Sequence, residues 1–202
     1  MDQQVLDFLR QKKWAVYGVS ANEKKISHRI YQVLQRYEYD VYAINPKEKT
    51  IAGDPCYASL AALPTVPEVV DFVVPPAVAL TVLPECKRLG IRKVWLQPGV
   101  NTPEVVALAK QLDLEVIDYT CAFVESNQLA VLRNKPTFAV IQSDTAETEQ
   151  ELRSIAASGI EYVWFQPAAS HEPLFELASD LKLLFVHDVD LAEALANLPA
   201  GR

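Results

Sequence analysis

The chain has 202 residues, with 19 Lys and Arg against 26 Asp and Glu, a net charge of −7. That balance excludes a uniformly basic surface of the kind that tracks duplex DNA, so no nucleic-acid partner is expected. Half the residues are hydrophobic and 22% are charged, a globular composition, and no apolar run reaches the ~20 residues that span a bilayer. No signal peptide is read at the N-terminus, and three cysteines without metal-like spacing fit a reducing, cytoplasmic setting.

The predicted elements alternate. An amphipathic segment, Val5 to Lys12, precedes a strand at Trp14 to Gly18 and the loop SANEKKI. Ser27 is read as the N-cap of a helix reaching Tyr37, on which Ile30, Val33, Leu34 and Tyr37 recur at helical spacing. A second strand, Val41 to Ile44, stops at Asn45-Pro46. An irregular stretch with Gly53-Asp54-Pro55 leads to a strand at Val69 to Val74, ended by Pro75-Pro76, then a helix to Leu89 that Gly90 closes. A strand at Val94 to Gln97 stops at Pro98-Gly99. Thr102-Pro103-Glu104 starts a helix ending near Leu112, and a strand follows at Glu115 to Ile117. Apolar strands alternating with helices imply an α/β fold: a Rossmann-like, doubly wound parallel sheet covered on both faces.

The chain then repeats itself. GIRKVWLQP, from Gly90, and GIEYVWFQP, from Gly159, share six of nine residues at an offset of 69. Residues 137–202 therefore read as an appended, degenerate β-α-β-α-β half-repeat, structural or oligomerising, with residues 126–136 as a linker after a first domain of 1–125. The copy has no glycine loop and is expected to extend the first sheet, pack against it or pack against another subunit, a homodimer being the expected assembly. Residues 126–202 also hold most of the excess charge, 5 bases against 11 acids.

Ligands of open parallel sheets bind beyond the carboxyl ends of the strands. Here those ends carry Gly18-Val19-Ser20, Asn45-Pro46-Lys47, Val74-Pro75, Gln97-Pro98-Gly99 and Asp118 to Cys121. The first loop enters a helix N-terminus, which favours an anion. The stretch 20–49 is locally cationic, with six bases against four acids. The second strand ends in Asn45, Pro46 and Lys47 where an NAD site usually has an acid, and the loop lacks G-x-G-x-x-G. This disfavours plain NAD and favours a nucleotide carrying a ribose phosphate.

The stretch from Trp14 to Glu125 resembles the small bacterial CoA-binding domain proteins and, more distantly, the CoA-binding domain of the succinyl-CoA synthetase alpha subunit. The resemblance rests on VYGVSANEKKISHRIYQVLQRYEYDVYAINP, GDPCYASLAALP, VDFVVPPAVA, VWLQPG and DYTC, in that order. It implies coenzyme A or an acyl-CoA across the sheet's carboxyl edge. Gly18, Val19, Ser20 and Ala21 would hold the pyrophosphate with Ser27, and Lys25 lies beside them. Asn45, Pro46 and Lys47 would face the ribose and its 3′-phosphate. Val74 and Pro75 would line the adenine or pantetheine path, while Gln97, Gly99 and Cys121 would lie toward the thiol end. Val74-Pro75-Pro76 stands where the small proteins often have Phe-Arg, and the synthetase's phosphorylated histidine has no counterpart.

No catalytic residue is read. His28 is a neighbour of the phosphates, His171 a loop residue and His187 the end of a short strand beside Asp188 and Asp190. The expected function is non-catalytic binding, as a sensor or carrier. The rivals are an NAD(P)(H)-responsive sensor in the same cleft and a subunit of an acyl-CoA ligase.

Overall fold

The computed structural model describes residues 2–134 and 137–196. They form two compact units, dividing between Phe123 and Val124.

The first unit opens with α1 (Gln3–Leu9), capped by Asp2, whose carboxylate accepts from Gln4 N at 2.7 Å. Then come β1 (Lys13–Tyr17), α2 (Ile26–Arg36), β2 (Asp40–Ile44), β3 (Thr50–Ile51), β4 (Asp54–Tyr57), β5 (Val69–Phe72), α3 (Pro76–Leu89), β6 (Lys93–Leu96), α4 (Pro103–Gln111) and β7 (Glu115–Ile117). The sheet order is β3-β4-β2-β1-β5-β6-β7, parallel except for the β3–β4 pair. The chain leaves β1 in one direction to make β2 and returns to its other side at β5, so the switch point lies at the carboxyl end of β1.

The strands are apolar because both faces are covered. On one face Ala15, Tyr17, Val70, Phe72, Val94 and Leu96 pack under Ala79, Leu83 and Cys86 of α3 and Val105 and Ala109 of α4. On the other, Trp95 meets Phe8 of α1 edge-on and Trp14 at a tilt, each with ring centroids 6.0 Å apart. Gly90 closes α3 in the left-handed region (φ +79°), and Thr102 caps α4 before Pro103, as expected.

Three local expectations are corrected. Residues 50–57 form a tight hairpin, with Ala52 and Gly53 both at positive φ, where an irregular stretch was expected. Helix α2 begins one residue before Ser27, and its N-cap is Lys25, which caps with no side chain. Residues 126–134, expected as a linker, belong to α5 (Ala122–Asn134), on which Ser126, Asn127 and Gln128 are buried. Residues 135–136 of that expected linker lie outside the described residues.

The second unit continues with β8 (Phe138–Ile141), α6 (Thr148–Ala157), β9 (Tyr162–Phe165), α7 (Glu172–Asp180), β10 (Leu184–Val186) and α8 (Leu191–Ala196). It does not extend the large sheet but forms a separate parallel one, ordered β10-β9-β8. Each of these strands lies 69 residues after one of the first unit: β8 after β5, β9 after β6, β10 after β7. The bonds follow the same spacing. Gln97 N donates to Phe72 O, and Gln166 N to Ile141 O. Asn127 of α5 donates to Phe185 O at 3.2 Å, as Gln4 of α1 donates to Val116 O at 2.9 Å, again 69 residues earlier on the accepting strand.

Candidate functional site

The carboxyl edge of the first unit is built around Gly18. Its φ is +101°, and a Cβ there would lie 2.4 Å from Val73 O, so only glycine lets β1 turn this close to the end of β5. Asn45 then ties the turn to the end of β2. Its Nδ2 donates to Val19 O at 2.7 Å and its Oδ1 accepts from Lys47 N at 2.9 Å.

The loop folds back on the start of α2. Ser20 N donates to Ser27 Oγ at 3.1 Å, and Asn22 N to Ser20 Oγ at 3.1 Å. Both hydroxyl oxygens act as acceptors, which leaves their O–H groups available as donors. His28 Nδ1 donates to Ser20 O at 2.8 Å, while its Nε2 is buried without a partner. His28 is thus a brace under the loop. Among the described residues, the amides of Ala21, Ile26 and Ser27 have no hydrogen-bond partner. They stand at the amino end of an eleven-residue helix with Lys24 and Lys25 alongside. Unpartnered amides, two hydroxyls, a helix dipole and cations together fit a pyrophosphate.

The other predicted residues divide. Pro46 and Lys47 are exposed beyond β2, half-buried Val74 and exposed Pro75 lie beyond β5, and Gly99 (φ +90°) is exposed beyond β6; Cys121 is half-buried after β7 and in no disulfide. These all reach the same edge. Gln97 does not offer its side chain there: it is 2% exposed and donates to Asp71 at 2.6 Å inside the sheet. The expectation that this amide faces a ligand is corrected; its backbone instead shapes the turn, accepting from Val100 N at 2.9 Å.

Sequence reading missed the apolar part of the edge. Ile26, Val78 and Tyr119 are large hydrophobics left exposed at the starts of α2 and α3 and after β7. Exposed apolar groups beside a polar cradle suit a ligand with a phosphate end and an uncharged arm. A cavity of about 470 Å³ lined by Lys87, Arg92, Asp113 and Glu115 lies at the opposite, amino edge, away from these groups. Among the described residues no cluster of His, Cys, Asp and Glu could hold a metal ion, and no helix is long and apolar enough to cross a membrane.

Comparison with known proteins places the first unit in a family. The CoA binding domain family matches residues 12–127. An ADP-forming acetate–CoA ligase of Methanocaldococcus jannaschii is 33% identical over 118 residues, which are 54% of this chain and 17% of that ligase. Acetate–CoA ligase [ADP-forming] I of Archaeoglobus fulgidus is 26% identical over 127 residues, 58% of this chain and 18% of its own length. The match thus spans less than a fifth of either ligase. Among solved structures, a hypothetical protein from Pyrococcus horikoshii OT3 superposes with a TM-score of 0.61 at 28% identity, over 64% of this chain and 92% of that one. A conserved hypothetical protein from Pyrococcus furiosus does so with 0.52 at 34% identity, over 55% and 95%.

Proposed function

The chain belongs to the CoA binding domain family, and on that premise we propose that its first unit binds coenzyme A or an acyl-CoA, without catalysing a reaction on it. The observation that carries the reading is the set of unpartnered amides at Ala21, Ile26 and Ser27 beside Lys24 and Lys25. These groups would take the pyrophosphate. Lys47, exposed one crossover away, would take the 3′-phosphate, and Val74, Val78 and Tyr119 would line the pantetheine path toward Cys121.

Thermal melting with CoA, 3′-dephospho-CoA, NADPH and NADH tests it. Ligand at 100 times Kd adds about 2.7 kcal/mol. A rise in Tm with CoA above that with NADPH is expected; no rise with any CoA species rejects the reading. A preference for NADPH would support the rival sensor; the lack of an acid directly after β2 disfavours only its plain-NAD form.

A second reading is favoured by the relatives: a subunit of an acyl-CoA ligase, the rest of the activity lying on another chain. Co-purification with a nucleotide-binding partner would support it.

Residues 124–196 we read as a shortened copy of the first unit. The common spacing of 69 supports this, and so does α5 standing to β10 as α1 stands to β7. On this reading the copy lacks the counterparts of β1, α2 and β2, which carry the phosphate cradle, so it binds no CoA. The outer edge of β8 pairs with no strand among the described residues, where its counterpart β5 pairs with β1. That supports a homodimer joined there, which light scattering would test. The absence of a disulfide among the three cysteines fits a reducing compartment such as the cytoplasm.

A further inference from the structure

Asp71 is wholly buried in the middle of the large sheet. Its neighbours along the β1 and β6 ladders are Val16 and Trp95, neither charged. Its Oδ1 accepts from Gln97 Nε2 at 2.6 Å. Its Oδ2 and the Oε1 of Gln97 are both buried without a partner. With an ionised Asp71, the two side chains would share one bond and strand two acceptors and a charge. Buried acceptors are rarely left so, and a buried carboxylate without a cation is costlier still. One proton resolves all of this. Placed on Oδ2 and donated to Gln97 Oε1, it would close a ring of two hydrogen bonds between acid and amide.

The second unit shows that the fold does not require the acid. Val140 stands 69 residues after Asp71 and Gln166 the same distance after Gln97. There the amide turns elsewhere, its Oε1 accepting from Leu191 N at 3.2 Å.

We propose that Asp71 is a neutral carboxylic acid in the folded protein, and that its cyclic pair with Gln97 is a positioning device. It locks the end of β6 to β5, so that the Val74-Pro75 and Pro98-Gly99 segments leave the sheet at a fixed separation. The positioning role rests on the CoA reading; the protonation state does not.

The titratable side chains on this face are otherwise engaged. His28 bonds to Ser20 O, Tyr31 to Asp54, and Lys93 to Glu115 beside the Phe8 ring. Burial drives Asp71 up to about 7 against the smaller, opposing pull of the Gln97 bond. A carboxyl raised in the folded state makes its contribution in full below the unfolded value, near 3.8, and loses it as pH climbs to about 7. Through that window the ratio of folded to unfolded protein falls up to about tenfold per pH unit on account of this one group.

Asp71→Asn replaces the O–H with an N–H and keeps both bonds. Urea unfolding across the window should find wild type losing stability relative to Asp71→Asn as pH rises, with the gap constant above it. Infrared spectra of the aspartate-labelled wild type should show a carboxylic-acid C=O stretch at mildly acidic pH that is missing from the variant. A gap that does not change with pH, or no such band, overturns the neutral acid; the wild-type spectrum decides alone if the variant does not fold. For positioning, Asp71→Val, which copies Val140, should reduce CoA affinity about tenfold while Asp71→Asn retains it. Full affinity in a folded Asp71→Val overturns that role. Wild type that binds no CoA rejects the CoA reading instead and leaves the infrared result standing.

Discussion

Trp95 and Trp164 lie 69 residues apart, and each donates its indole N–H over 2.8 Å to a carbonyl 25 residues farther on, Thr120 and Val189. Both rings are wholly buried. In each unit the same bond pins the segment after the last strand, β7 or β10, to the sheet beneath it. Phenylalanine at either position keeps most of the apolar contact and strands the carbonyl. We expect Trp95→Phe and Trp164→Phe each to cost about 1–3 kcal/mol in chemical denaturation. Only Trp95→Phe should weaken CoA binding, because only its segment, Asp118 to Cys121, lies at the carboxyl edge of the sheet that we propose binds CoA.

Gly18 and Gly99 separate close approach from backbone strain. Both have positive φ, but a Cβ at Gly99 meets nothing within 4 Å, whereas at Gly18 it would strike Val73 O at 2.4 Å. Gly99→Ala should cost about 1 kcal/mol from the dihedral alone. Gly18→Ala should cost more, at least about 2 kcal/mol, and abolish the CoA-dependent rise in Tm. Equal losses in calorimetry would contradict the close β1–β5 approach.

On the proposed reading Lys47 takes the 3′-phosphate and so carries the discrimination between CoA and its dephospho form. Lys47→Ala should remove a preference of about fivefold, an exposed charge pair being worth at most about 1 kcal/mol. Raising salt should erode the same preference in the wild type. An equal loss of affinity for both ligands in a titration would refute the assignment.

Cys86 is wholly buried between α3 and the sheet, and burial, with Glu85 adding to it, pushes its thiol up to about 12. The thiolate is the reactive form, so Cys86 should stay unmodified by iodoacetamide in the native protein and react once urea unfolds it. Mass spectrometry of digests taken before and after unfolding reads this directly.

How much of this was legible in the residues depends on the range of the interaction that decides them. Strands β1, β2, β5, β6 and β7 were readable as apolar runs between turn residues, α3 from Pro76 at its start and Gly90 at its end, and α4 from Thr102 and Pro103 at its start. The hairpin at 50–57 was not. Pro55 argues against a strand, yet it sits in β4, one strand in from the edge of the sheet, opposite Thr50 of β3. Ala52, moreover, is a poor advertisement for a positive φ. Ser126-Asn127-Gln128 looked like a polar connection, but those groups are buried in α5, and Asn127 answers a carbonyl 58 residues away. Gln97 was placed at the ligand for want of its partner, Asp71, which lies 26 residues back on a neighbouring strand. The shape of the loop after β1 was legible in outline because its determinants are local: a glycine, two serines and a helix start.

On the proposed repeat, the pairing of α5 with β10 through Asn127 and Phe185 makes the second unit a built-in blank for the proposed ligand chemistry. The spacing of strands, the tryptophan anchor and the helix bond recur there, without a counterpart of the β1–β2 stretch. Transplanting the stretch from β1 to β2 between α5 and β8 would ask whether that insert alone confers nucleotide recognition on an otherwise mute scaffold.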